Sequence, residues 1–153
     1  MTLDVFLARR LPTRSILGAH LAFHHVGKGS LAYGTAETEI EGVSLLVSTP
    51  ERTLLDLLDL PALAGGVSEA LRHFIGALPQ VSAPLLVELA ARGSRTSTCQ
   101  RLGVLLQRAG VAPRKLKPLL RRVGETKSDL SLISGDQRTG DFNRRWRVVE
   151  NDQ

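Results

Sequence analysis

The sequence predicts an α+β fold. The expected form is a small antiparallel sheet of N-terminal strands and a hairpin, packed against a layer of about five helices, with a β return at the C-terminus. Three observations lead there. Apolar residues alternate with period two through the first fifty positions. From Ser48 the apolar spacing becomes helical and stays so to Val123. Short apolar runs then return at Leu130–Ile133 and Trp146–Val149, separated by a polar, glycine-containing loop. The expected division is strands over 1–48, helices over 49–123, and loop with strands over 124–153, all in one domain of 153 residues.

Leu3, Val5 and Leu7 alternate, as do Leu17, Ala19, Leu21 and Phe23, which is the mark of half-buried strands. Gly27-Lys28-Gly29 breaks the second strand. Glu37, Glu39 and Glu41 share one face and Thr38 and Ile40 the other; Glu41-Gly42 is a two-residue turn, and Val43, Leu45 and Val47 return. Together these predict three or four antiparallel strands in one sheet. Ser48-Thr49-Pro50-Glu51 then reads as a helix start, with a hydroxyl N-cap, Pro in the first turn and Glu near the positive end of the dipole. The leucines at 54, 55, 57, 58 and 60 are too dense for one stripe, so this helix is expected to be buried on more than one side.

Pro61 and Gly65-Gly66 end that helix. Val67, Ala70, Leu71, Phe74 and Leu78 step along a second, and Pro79 to Pro84 connects it to a short third carrying Leu85, Leu86 and Leu89, closed by Gly93. Ser94 to Thr98 offers N-caps for a fourth, with Leu102, Leu105, Leu106 and Ala109 inward and Gly110 as its stop. Leu116, Leu119, Leu120 and Val123 define a fifth, in which Pro118 marks either a kink or the true start of a shorter helix.

Composition excludes several functions. The chain is 42% hydrophobic, enough for a packed core, yet it has only four Phe, one Trp and one Tyr, too few for serial stacking of single-stranded bases. A single cysteine, Cys99, rules out an intrachain disulfide or a cysteine-rich zinc site. No apolar run approaches the ~20 residues that span a bilayer. Asp4 followed by Arg9 and Arg10 lacks the charge order of a signal peptide. The expectation is a soluble cytoplasmic protein without a membrane partner.

Charge is distributed unevenly. Residues 1–91 carry a net −3 and residues 92–153 a net +8. Between Leu89 and Gly124 there is no carboxylate at all, against nine Arg and Lys. Arg101, Arg108, Arg114, Lys115, Lys117, Arg121 and Arg122 are therefore expected to form an outward surface for a polyanion or an acidic partner. The alternative is an ordinary solvated helical face.

The other constellations are weaker. Arg52 and Asp56 stand four apart, the spacing of an intrahelical ion pair, and the preferred reading is structural rather than catalytic. His20 and His24 share a strand face but lie about 13 Å apart, too far to bind one zinc, and His24 and His25 point to opposite faces. There is no Gly-rich phosphate loop, no Gly-x-Ser-x-Gly and no helical His-Glu-x-x-His. No catalytic residue, cofactor or metal is expected.

Ser48-Thr49-Pro50-Glu51-Arg52-Thr53-Leu54-Leu55-Asp56-Leu57-Leu58 resembles the S-P-E-R-T-L-x-D segment of the AbiEi-type antitoxins of bacterial type IV toxin–antitoxin systems. Glu39-Ile40-Glu41-Gly42-Val43 is similar to the family's hairpin on the N-terminal side of that segment, and Leu63 to Leu71 to its continuation on the C-terminal side. Arg101-Leu102-Gly103-Val104-Leu105-Leu106 resembles the family's R-L-G-x-L-L helix, and Trp146 with Asn151 its W-x-x-x-x-N ending. The resemblance implies a non-enzymatic antitoxin that counters a cognate nucleotidyltransferase toxin, directly or indirectly, with Pro50, Glu51, Arg52 and Asp56 as a structural motif. Family members commonly carry an N-terminal winged helix–turn–helix. This sequence opens directly in its strands, so the expectation is the antitoxin domain without that module. A nucleic-acid-binding transcriptional regulator using the basic C-terminal helices is the alternative.

Overall fold

A computed structural model describes residues 2–27, 31, 33–133 and 139–152. The fold is α+β, and the chain divides into two compact units, Met1–Val47 and Ser48–Gln153.

In the first unit, β1 (Thr2–Leu7), β2 (Arg14–Ile16) and β3 (Ala19–His25) form a sheet in the order β1-β3-β2. β4 (Thr35–Ile40) and β5 (Val43–Ser48) form a separate two-stranded sheet. These strands differ from the single antiparallel sheet that alternation predicts. β1 runs parallel to β3, with Leu3 opposite Leu21 and Val5 opposite Phe23. The physical reason is β2, which forms a tight antiparallel hairpin with β3 through Leu17-Gly18, both at positive φ. That hairpin occupies one edge of β3. The segment between Leu7 and Ala19 thereby becomes the crossover that a parallel pair requires, and β1 takes the other edge. Glu41-Gly42 makes the expected turn between β4 and β5, with φ of 52° and 78°. Of the expected break at Gly27-Lys28-Gly29, Lys28 and Gly29 lie outside the described residues.

Among the described residues the second unit holds five α-helices. α1 (Pro50–Asp59) is capped by Thr49, whose Oγ1 accepts from the Arg52 amide. A 3₁₀ turn at Pro61–Ala64 leads through Gly65, at φ 89°, into α2 (Val67–Ala77). Another at Leu78–Gln80 leads to α3 (Ala83–Gly93), capped by Ser82. α4 (Thr96–Arg108) ends before Gly110, at φ 77°. Pro118 does not kink a long helix. A 3₁₀ turn covers Pro113–Leu116, and α5 (Lys117–Gly124) begins just before Pro118, where a missing amide hydrogen costs nothing.

The C-terminal residues make a three-stranded sheet in the order β6-β8-β7. β6 (Leu130–Ser131) is parallel to β8 (Val148–Glu150), and β7 (Asp141–Asn143) is antiparallel to it. Trp146, expected to begin a strand, sits instead in the turn between β7 and β8 and is fully buried. The core of the unit is Leu54, Leu55 and Leu58 of α1, Phe74 of α2, Leu86 and Ala90 of α3, Leu102 and Leu106 of α4, and Leu119 of α5, closed by Trp146 and Val148. No helix among the described residues is long and apolar enough to cross a membrane.

Candidate partner surface

The polar side chains of α1 fix the starts of α3 and α4, which carry Arg92 and Arg95. The Arg52 Nε donates to Asp56 Oδ1 at 2.8 Å, and both residues are buried. Burial pushes the Asp56 carboxyl up, against the hydrogen bond and charge of Arg52. Glu51 Oε1 accepts from the Ser82 amide at 2.9 Å, so α1 holds the residue that caps α3. That bond leads in holding the Glu51 carboxyl below its ordinary value. Pro50 fills the first turn.

Asp59, which the residue pattern does not single out, does the same for α4. The N-cap position of α4 is Arg95, whose side chain cannot accept a hydrogen bond. Asp59 Oδ1 holds this helix start from outside instead, accepting from the Arg95 amide at 3.2 Å and from the Thr98 hydroxyl at 2.5 Å. One helix thus fixes the starts of two others.

The seven basic residues expected to face outward do not all do so. Arg101 is turned inward: its Nε donates to the Leu132 carbonyl at 3.0 Å and its Nη2 to that of Ser131 at 3.4 Å. Burial lowers its guanidinium pKa. Arg122 is half-buried and donates to the Ser94 carbonyl at 3.2 Å. Arg108 is exposed but neutralised, bonding Glu150 Oε2 at 2.5 Å and Asp152 Oδ2 at 2.6 Å. The hydrogen bond from Arg108 leads in lowering the Asp152 carboxyl. Long side chains reach acceptors that local sequence does not reveal.

Arg114, Lys115, Lys117 and Arg121 remain, all exposed on α5 and the turn before it. Arg92 and Arg95, at the end of α3 and the start of α4, are exposed as well. Lys115 and Arg92 line one groove, so a cation of α3 and one of the turn before α5 share a surface. A charged surface of this kind can attract a polyanion or an acidic protein face. Among the described residues no group of three or more His, Cys, Asp or Glu could hold a metal ion. Cys99 is buried, and desolvation pushes its thiol up to about 11.

The two segments singled out by the sequence, on α4 and around Trp146, are packed together. The Trp146 ring lies against Gly103, so close that a Cβ there would fall 2.1 Å from the ring. The indole Nε1 donates to Gln107 Oε1 at 2.8 Å. Asn151 closes the same end, its amide exchanging hydrogen bonds of 2.9 and 3.1 Å with the Ile133 backbone.

No family model matches the chain. No curated protein matches it either. Among solved structures the chain is similar to the RV2827C protein from Mycobacterium tuberculosis, at 18% sequence identity and a TM-score of 0.57, over 98% of this chain and 54% of that one. A likeness at this identity speaks to the fold alone. The chain spans about half the length of that protein.

Proposed function

We propose that the chain is the antitoxin module of an AbiEi-like type IV system, acting without catalysis against a cognate nucleotidyltransferase toxin. The observation that carries the reading is the contact of Gly103 with Trp146. These residues belong to separate segments of the resemblance, and a small residue at 103 has a reason only when the indole is there to meet it. Asp56 with Arg52, and Asn151 with Ile133, likewise give other residues of the resemblance partners inside one packed unit. The motif residues thus act as a scaffold, and the exposed cations of α3 and α5 are its working surface.

The test is growth. The chain is expressed with the nucleotidyltransferase encoded in its own operon, and growth arrested by that enzyme is expected to recover. No recovery at matched expression, or an operon without such an enzyme, overturns the reading. A second reading, nucleic-acid binding, is favoured by the absence of any carboxylate from Leu89 to Gly124, since phosphate neutralisation needs only such charge. Steep, sequence-independent salt dependence of RNA or DNA binding, with no recovery of growth, selects it.

A further inference from the structure

The C-terminal sheet sorts its side chains by face. Residues opposite one another on paired strands share a face, and successive residues alternate. Asn143 and Leu130 both lie opposite Val148, which is fully buried, so this row belongs to the inward face. Asp141 and Glu150 are paired two residues further along, which puts both carboxylates on the inward side as well. There Asn143 Nδ2 donates to Glu150 Oε1 at 2.8 Å, and Arg108 neutralises Glu150 and Asp152. The opposite face carries the row Ser131, Val149 and Phe142. That row has no charge, and the Phe142 ring at its edge is 47% exposed.

Cations stand beside the ring. The turn after β7 holds Arg144 and Arg145, both exposed and with no ion pair or hydrogen bond to another described residue. Lys127, also exposed, is joined to this turn by Arg147, whose Nη2 donates to the Lys127 carbonyl at 2.6 Å and pairs with Asp129 at 2.7 Å. The turn is held in place by its own contacts. Asn143 Oδ1 accepts from the Trp146 amide at 3.3 Å, and the buried indole is tied to Gln107 of α4. At the other end of β7, Gly140 lies so near the Glu150 carbonyl that a Cβ would fall 2.2 Å from it.

We infer that this face binds single-stranded RNA, with one base stacked on Phe142 and the flanking phosphates held by Arg144, Arg145 and Lys127. Six aromatic residues are too few for serial stacking, but one base needs only one ring. Bases inside a duplex are already stacked on their neighbours, so an open ring selects an unpaired strand. A purely apolar protein face would cover Phe142 and leave the arginines without counter-charge, whereas phosphates on either side of a base satisfy both. Ser131, across Val149 in the same row, offers a hydroxyl to a ribose 2′-hydroxyl, a group that DNA lacks. The inference does not rest on the antitoxin reading, since no toxin enters the test.

Fluorescence anisotropy of a labelled poly-uridine RNA of about 12 nucleotides measures binding to the purified full-length chain. Phe142→Ala is expected to weaken binding about tenfold or more, and Phe142→Trp to preserve it, with the unfolding midpoint unchanged. Phe142→Leu keeps an apolar side chain without a ring and is expected to behave as Phe142→Ala does. Arg144→Ser with Arg145→Ser is expected to weaken binding and to reduce the slope of log affinity against log salt by about 1.4. No binding by the parent overturns the inference. So does parent-level affinity in folded Phe142→Ala, in Phe142→Leu or in the double arginine variant. If Phe142→Ala does not fold, the other two variants decide. A deoxyuridine strand of the same length that binds as tightly overturns the assignment to RNA, and an RNA duplex that binds as tightly overturns the stacked base. Sedimentation tests the remaining occupant: a parent dimer that Phe142→Ala breaks makes this face a contact between copies and overturns the inference.

Discussion

Trp146 occupies the space that a side chain on Gly103 would need. An ideal Cβ at 103 meets three ring atoms between 2.1 and 2.4 Å away, and the indole is fully buried and tied to Gln107. Two effects oppose each other in Gly103→Ala. Alanine favours the helix by about 1 kcal/mol. Overpacking a closed core costs about 1–3 kcal/mol and sometimes more. A rigid ring cannot give way as the end of a flexible chain can, so the clash wins. Thermal unfolding should show Gly103→Ala less stable than the parent. The emission of Trp146, the only tryptophan, should shift to the red in the folded variant as the ring is displaced towards water.

Breaking the Arg52–Asp56 pair should cost more. With Arg52 removed, the Asp56 carboxylate is left buried without the hydrogen bond and charge that oppose its desolvation, at a cost of about 3–5 kcal/mol. Arg52→Ala should therefore lower the unfolding midpoint sharply, whereas Arg52→Met with Asp56→Leu should recover much of the loss. Asp59→Ala acts differently. It removes the acceptor at the start of α4 and should cost about 0.5–2 kcal/mol, as loss of a cap does. Chemical denaturation of these variants beside the parent checks both.

Acid should destabilise the protein in a way that depends on which carboxylate is present. Asp152 and Glu51 have folded values below their ordinary ones, so their stabilisation is present above the ordinary carboxylate range and is lost as pH falls through the folded values. Asp56 has the opposite sign. Its folded value is raised, so the folded state gains relative to the unfolded as pH falls through that value. Asp152→Asn should flatten the loss of stability below about pH 4, whereas Asp56→Asn removes a gain that falls above about pH 4 and should make stability fall faster there. Midpoints measured from about pH 7 down to about pH 3 distinguish the two.

Cys99 should be inert while the chain is folded. Its thiol hydrogen-bonds the Ala90 carbonyl from a buried site, and a value near 11 leaves almost no thiolate at neutral pH. Labelling with iodoacetamide at about pH 8 should be negligible in the native protein and complete in denaturant. Rapid native labelling would show that the packing between α3 and α4 opens.

The helices are the legible part of the fold, because their signals are local. Ser48-Thr49-Pro50-Glu51 carries the cap, the proline and the acid of a helix start within four residues, and α1 begins there. Strand pairing is not legible, because alternation marks the face of a strand and not its neighbour. Nothing in Leu3, Val5 and Leu7 says that Leu21 and Phe23 will lie alongside in parallel. β2 and β7, at three residues each, are too short to show alternation. The candidate surface is legible as a charge imbalance but not residue by residue. Arg108 has no opposing charge nearby in sequence because its carboxylates lie at 150 and 152. Arg101 reads as exposed because its acceptors are backbone carbonyls, which every sequence has.

That distinction divides the basic residues into two groups with opposite mutational behaviour. Arg114, Lys115, Lys117 and Arg121 are exposed and carry no packing role, and surface changes of this kind stay within about ±0.5 kcal/mol. Changing all four to Ser should leave the unfolding midpoint within a few degrees and weaken protection of cells that express the cognate toxin. Arg101→Ser and Arg122→Ser should do the reverse. Arg101 satisfies the Leu132 and Ser131 carbonyls and Arg122 that of Ser94, so each loss strands a partly buried acceptor at about 1–3 kcal/mol. Protection by these two should fall only as far as the folded fraction falls. The comparison separates surface from scaffold because it measures both quantities on both groups. If the folded quadruple variant protects fully, the cations of α5 and its preceding turn are a solvated face, and the working surface lies elsewhere.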